Sequence, residues 1–231
     1  MNLLAVDTST VRSVVGLIIG ERRHESVALS GRSHSRDILP TISSLVNDAG
    51  VKLSDLSCIA FGQGPGSFTG LRITVGVVQG LAYGLGIPVV PISSLAALAM
   101  GEYRRSGTTK LMVALAAREE EIYFGAYQIV DGIPVLRGWE MVVDASKAPQ
   151  PIDFQADDDD TWAGVGDGWV FRDEIELSTG ISMGHLSLDV YPQANDLLDI
   201  GIARIKIGET IDAMAARPEY LREQVANVPE R

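Results

Sequence analysis

Between the apolar, strand-like stretch Cys58 to Phe61 and the long apolar, helix-like stretch Leu71 to Leu85 lies a loop carrying Gly62, Gly64, Pro65, Gly66 and Gly70. The glycines permit positive φ and close approach of another backbone, and Pro65 fixes one dihedral among them. The hydroxyls of Ser67 and Thr69 are placed to cap the free amides of the helix that follows. At this point the chain must run strand, tight loop, helix. The loop suits either an anion or a stretch of backbone pressed against it.

Two familiar nucleotide loops are excluded. A P-loop ends in Gly-Lys-Ser/Thr, whereas this segment ends Thr69-Gly70-Leu71-Arg72. A Rossmann fingerprint needs glycine at position 67 and an acid roughly 20 residues further on. Position 67 is serine, and Gly80 to Pro91 contains no acid. A purely structural role and contact with a ligand both stay open.

With 231 residues, 46% of them apolar, the chain can bury roughly 70–75% of its unfolded surface without disulfides. The single cysteine, Cys58, stands in the apolar run Ser57-Cys58-Ile59-Ala60-Phe61 and reads as a small buried hydrophobe; this usage fits a reducing cytoplasm. No signal peptide is expected from Met1-Asn2-Leu3-Leu4-Ala5-Val6-Asp7, and no stretch reaches the ~20 apolar residues of a membrane span. The net charge of −11 argues against tight RNA binding by this chain alone. The acid run at 157–160 reads as a solvated loop.

Along the chain, Leu3 to Val6 and Val14 to Ile19 form a strand pair joined through Asp7-Thr8-Ser9-Thr10. An amphipathic helix follows Ser33-His34-Ser35, with Ile38, Leu39, Ile42, Leu45 and Val46 on one face and Pro40 expected either near the first turn or as a kink. In the helix after the glycine loop, Gly76, Gly80 and Gly84 recur every four residues on one face. Each costs about 0.8–1 kcal/mol relative to alanine, so close packing of another helix, within the subunit or from a partner, is expected to compensate. Val89 to Ile92 reads as a strand, with Ser93-Ser94 capping a helix through Met100. After a polar stretch at 104–109 the opening design returns. Leu111 to Leu115 and Ile122 to Tyr127 lie on the first strand pair with a constant offset that matches Asp7 to Ala116 and Ser9 to Arg118. Ile133, Val135 and Met141 to Val143 can add a third strand; Trp162 to Gly168 is a strand and loop, and Ala194 to Ile207 a helix. The extended tail Arg217 to Arg222 has Tyr220 and Leu221 as its anchors. The weak repeat implies two related α/β halves, 1–105 and 106–231.

Several of these segments together resemble the bacterial TsaB (YeaZ) family: Ala5-Val6-Asp7-Thr8-Ser9, the loop Gly64 to Arg72, Ile87 to Leu98, Ala117-Arg118 with Glu121-Ile122-Tyr123, and Pro218 to Arg222. The resemblance implies an actin-like ATPase (ASKHA) fold of two ribonuclease-H-like halves, the first carrying the partner-binding helices. It also implies a cytoplasmic, non-catalytic role in threonylcarbamoyladenosine (t6A) modification of tRNA. The partners so implied are the transferase TsaD and the ATPase TsaE, with tRNA reached only through the complex; self-association as a homodimer is the alternative for the same surface.

In the transferase a His-x-x-x-His pair holds a metal, and the matching places here are Ser94 and Leu98, which lack metal-ligating nitrogen. No metal and no catalytic residue are therefore expected, and His24, His34 and His185 read as surface or helix-cap residues. Asp7 keeps the carboxylate of an actin-like site, but its repeat counterpart is Ala116, where the family pattern has Asp. The candidates for a residual nucleotide or phosphate contact are Asp7, Thr8, Ser9, Gly64, Gly66 and Ser67, with weak ATP or ADP binding, or nucleotide at the complex interface, left open. The expected partner interface joins Ile38, Leu39, Ile42 and Leu45 to Gly76, Gly80 and Gly84. An autonomous ATPase or a metal-dependent peptidase is the competing class.

Overall fold

The computed structural model describes residues 1–29, 34–152 and 161–221. The acid run at 157–160, Ser33 ahead of the first helix and Arg222 of the tail lie outside the described residues.

The first sheet contains β1 (Asn2–Asp7), β2 (Arg12–Ile19), β3 (Arg22–Leu29), β4 (Cys58–Gly64) and β5 (Val89–Ser93), in the order β3-β2-β1-β4-β5. The first three strands are antiparallel, and β4 and β5 are added in parallel. The second sheet repeats this plan. Its strands are β6 (Lys110–Ala116), β7 (Glu121–Val130), β8 (Ile133–Leu136), β9 (Met141–Asp144), β10 (Trp162–Val165) and β11 (Met183–Ser187). Their order is β11-β10-β6-β7-β8, with β9 also paired to β7. An antiparallel hairpin extended on one side and two parallel strands on the other, made twice, is the actin-like arrangement of two ribonuclease-H-like halves. The expected third strand of the second half is two short ones, β8 and β9, sharing opposite ends of β7.

Successive side chains of β1 point to opposite faces, and both faces are apolar. Leu3 and Ala5 enter a central core; Leu4 and Val6 enter an outer one. Helix α1 (His34–Asp48) and helix α2 (Phe68–Leu85) cover the outer face. Helix α3 (Ser94–Ser106) and helix α5 (Ala194–Lys206) form the layer between the sheets, and α4 (Arg172–Thr179) lies outside the second. The middle layer crosses over. Helix α3, from the first half of the chain, packs on β6, β7, β8 and β10, whereas α5, from the second, packs on β1, β2, β4 and β5. Gly16 and Gly201 allow this approach: a Cβ on Gly16 would stand 3.0 Å from Ala194, and one on Gly201 3.1 Å from Ala60. Cys58 is buried in this core, and burial pushes its thiol up to about 11, as its apolar neighbours predict.

Three sequence expectations are corrected here. Ile38, Ile42 and Leu45 are buried in their own subunit's outer core, so the apolar face of α1 is not open to a partner; only Leu39 of that set is exposed, at 49%. The three- and four-residue spacing marks a buried face without saying what covers it, and here α1 closes on β2 and α2. Pro40 lies beyond the first turn of α1, on its exposed side. His185 is not a plain surface residue, because its Nε2 meets Glu102 Oε1 at 2.7 Å.

Glu102 is a buried joint between α3 and β11. Its carboxylate also accepts from Arg105 (2.7 and 2.8 Å), and Arg105 reaches Ser187. Burial pushes the Glu102 carboxyl up, but hydrogen bonds from His185, Arg105, Ser187 and Ser106 outweigh it and hold the group below its usual range. A carboxyl depressed in the folded state adds stability that is complete above its unfolded value of about 4.5 and is lost as pH falls through the folded value. Glu102→Gln is expected to destabilise the chain at neutral pH. The gap from wild type should shrink steadily below pH about 4.5 when urea unfolding is followed against pH.

Candidate functional site

Where the hairpin β1–β2 and the glycine loop meet, the glycines serve the chain's own backbone. Ser67 N–H donates to Ser9 O at 2.7 Å. Thr8 N–H donates to Thr74 Oγ1 at 2.9 Å, and Thr8 Oγ1 donates to Gly70 O at 2.8 Å. A Cβ on Gly66 would lie 2.7 Å from Ser9 O, one on Gly70 would overlap Thr8 O, and one on Gly62 would overlap the Asp7 carboxylate. Of the amides opening α2, Gly70 N–H is held by the Ser67 side chain and Leu71 N–H by Ser67 O. These donors of the loop are already engaged, which decides the open question in favour of backbone packing for this part of it.

Above this junction is a cleft of about 470 Å³ between the two halves. Its floor is Ser9, Gly66 and Ser67; one wall is Ser94 and Leu98 of α3, and the opposite wall is Ala116 and Arg118 at the tip of the second hairpin. The nucleotide candidates therefore divide. Ser9, Gly66 and Ser67 line the cleft, Asp7 and Thr8 are buried beneath it, and Gly64 faces the C-terminal tail. Asp7 Oδ1 accepts from Ser9 N–H at 2.5 Å, while Oδ2 has no hydrogen-bond partner among the described residues. Burial raises the Asp7 carboxyl above its ordinary range, offset in part by the Ser9 hydrogen bonds. The Ser94 hydroxyl is 3.4 Å from the Ser9 hydroxyl, and Leu98 adds an alkyl group. Among the described residues no group of three His, Cys, Asp or Glu converges on a point.

The cleft also holds residues that the sequence reading did not single out as a site. Asp167 Oδ1 accepts from Ala116 N–H at 2.8 Å, so a carboxylate does reach the second hairpin, from the loop after β10. Asp189 and Tyr191 complete this end, with the Arg12 guanidinium 4.3 Å over the Tyr191 ring. Gly166-Asp167-Gly168 follows β10 as the glycine loop follows β4, and that positional match was the available signal. The glycine row of α2 lies elsewhere, on the outer surface. Gly76, Gly80 and Gly84 are exposed, and a Cβ added at any of them would meet nothing within 4 Å among the described residues.

Comparison with known proteins decides the family. Over 229 residues the chain is 33% identical to the tRNA threonylcarbamoyladenosine biosynthesis protein TsaB of Escherichia coli (strain K12), covering 98% of this chain and 96% of that protein. The chain belongs to the TsaB (YeaZ) family. The TsaB protein of Haemophilus influenzae is 32% identical, over 97% of this chain and 95% of that one. A solved structure of YeaZ from Pseudomonas aeruginosa superimposes with a TM-score of 0.86 at 37% identity, covering 95% and 99% of the two chains. A second structure from that organism, of a protein described as similar to peptidase YeaZ, gives 0.88 at 39%, covering 96% and 99%. Residues 26–134 also match the family described as TsaD, tRNA N6-adenosine threonylcarbamoyltransferase. TsaB proteins are tRNA t6A biosynthesis proteins by name, and no helix among the described residues is long and apolar enough to cross a membrane.

Proposed function

We propose that this chain is the non-catalytic scaffold of a t6A-synthesising assembly, pairing with a TsaD-type transferase through the glycine row of α2 and joined by the ATPase TsaE. The observation that carries this reading is the open space over Gly76, Gly80 and Gly84. Three helix-interior glycines cost about 2.5–3 kcal/mol together relative to alanine. Among the described residues nothing packs on them, which supports compensation by a partner helix. Exposed Leu39 of α1 is the other residue of the expected interface that a partner can reach. The same surface would serve a homodimer when the transferase is absent, and tRNA is met only in the complex.

The competing reading is an enzyme in its own right, and the word peptidase in one relative's description keeps it in view. Ser94 and Leu98 give a metal no nitrogen ligand, and the engaged amides of the glycine loop leave a phosphate fewer donors. Nucleotide, in this reading, is bound weakly by the lone chain or at the complex interface. Reconstitution tests the proposal: t6A formation should need this chain together with the transferase, and this chain alone should form none. ATP or peptide hydrolysis by the purified chain at rates of about 1 s⁻¹, within the ordinary enzyme range, would refute it.

A further inference from the structure

The tail segment 216–221 has no regular secondary structure, yet it is fixed along its length to α2 and the glycine loop. Ala216 O accepts from Gln79 Nε2 at 2.8 Å, and Glu219 N–H donates to Gln63 O at 2.8 Å. The Tyr220 hydroxyl accepts from Arg72 Nε at 3.2 Å, its ring lies 5.9 Å from that of Phe68, and the Arg72 guanidinium stacks 3.7 Å over Phe68. Gly64 gives the segment its path, since a Cβ there would stand 3.1 Å from Glu219 O.

Beneath Glu219, Tyr220 and Leu221 is a second cavity, of about 340 Å³. It shares Pro65, Gly66, Arg118 and Tyr123 with the large cleft, so it is a side chamber of that cleft with the tail as its outer wall. The Arg118 carbonyl accepts from Glu121 N–H, but its guanidinium forms no hydrogen bond or ion pair with any described residue and so stands uncommitted at the junction of the two spaces.

Phe68, Arg72 and Gln79 stand on one flank of α2, at spacings of four and seven residues. Gly76 and Gly80 occupy the neighbouring rows, four residues beyond Arg72 and one beyond Gln79. The tail therefore borders the glycine rows without covering them, and Tyr220 remains 42% exposed.

We propose that residues 216–221 are a strap that closes the side chamber, that Arg72 and Gln79 of α2 are its latch, and that a helix docked on the glycine rows presses the strap shut. A helix packed at the 8–10 Å interaxial distance of close pairs reaches the flanking rows. It would cover the open side of Tyr220 without competing for the strap's hydrogen bonds. The latch stands on the geometry of this chain alone; the closing step rests on the pairing proposed above.

Hydrogen exchange at the Glu219 amide tests both parts. In the lone chain, Arg72→Ala combined with Gln79→Ala should speed exchange of residues 216–221 about tenfold or more while β1 and β4 keep their protection, which shows that the variant is folded. Unchanged exchange of the strap in that variant overturns the latch. With the transferase bound, seen as new protection along α2, exchange at Glu219 should slow about tenfold. Docking that leaves the strap unchanged or loosens it overturns the closing step. Absence of any protection along α2 refutes the pairing itself, and the latch is then decided by the variant result.

Discussion

Gly80→Leu should abolish pairing with the transferase and leave the monomer more stable than wild type. The site is exposed, in the interior of α2, and a Cβ added there meets no atom of the described residues within 4 Å. Leucine restores about 0.8 kcal/mol of helix propensity, worth ~2–3 °C in melting temperature for a chain of this size. In a complex built on close helix approach, the same side chain holds the partner backbone away. Calorimetric titration should then give an affinity about 100-fold or more lower, equal to about 2.7 kcal/mol. Unaltered co-purification with the transferase would remove α2 from the interface. A fall in monomer stability would show that the glycine row has a packing role inside the subunit.

Gly70→Ala should have the opposite effect on the monomer. Gly70 is in the first turn of the same helix, but it is buried, and a methyl group there overlaps the carbonyl oxygen of Thr8. Relief requires the β1–β2 tip to withdraw, which breaks the bond from Thr8 Oγ1 to Gly70 O and disturbs that from Ser67 N–H to Ser9 O. Overpacking of this kind costs about 3 kcal/mol, or ~6–12 °C in melting temperature. Gly76→Ala, six residues on, serves as the control and should stabilise by about 0.8–1 kcal/mol. Thermal unfolding of the two variants in parallel is decisive: equal shifts would mean that the loop glycines do not hold the hairpin.

These two glycines also show what a sequence gives and withholds. The strand–loop–helix order around Gly62 to Gly70 was readable from spacing and turn chemistry, and so were both opening hairpins and α5. Which backbone presses on the loop was not, because Thr8 and Ser9 lie about 60 positions away in the chain and only the folded sheet brings them there. Helix α1 illustrates the same limit: its periodicity located Ile38, Ile42 and Leu45 on one face, while their burial by the outer core is a tertiary fact. Strand β3 was missed because an edge strand that faces water carries residues such as Arg22, Arg23 and Glu25, with no alternation to read. Helix α4 has only Ile175 and Thr179 buried in eight residues, too few to mark a period. In the cleft, Asp167 has no signal in the hairpin repeat, because its carboxylate reaches Ala116 from the loop after a different strand, β10.

The exchange of α3 and α5 between the sheets bears on how the chain matures. During synthesis the first sheet emerges complete, but the helix that seals its inner face is encoded about 100 residues later. Until α5 leaves the ribosome, Leu3, Ala5 and Ile92 have no lasting cover and must be shielded by transient collapse or by chaperones. Neither half is therefore an autonomous folding unit: a fragment ending near residue 105 should precipitate when expressed alone, and its solubility should return when the remainder is supplied in the same cell.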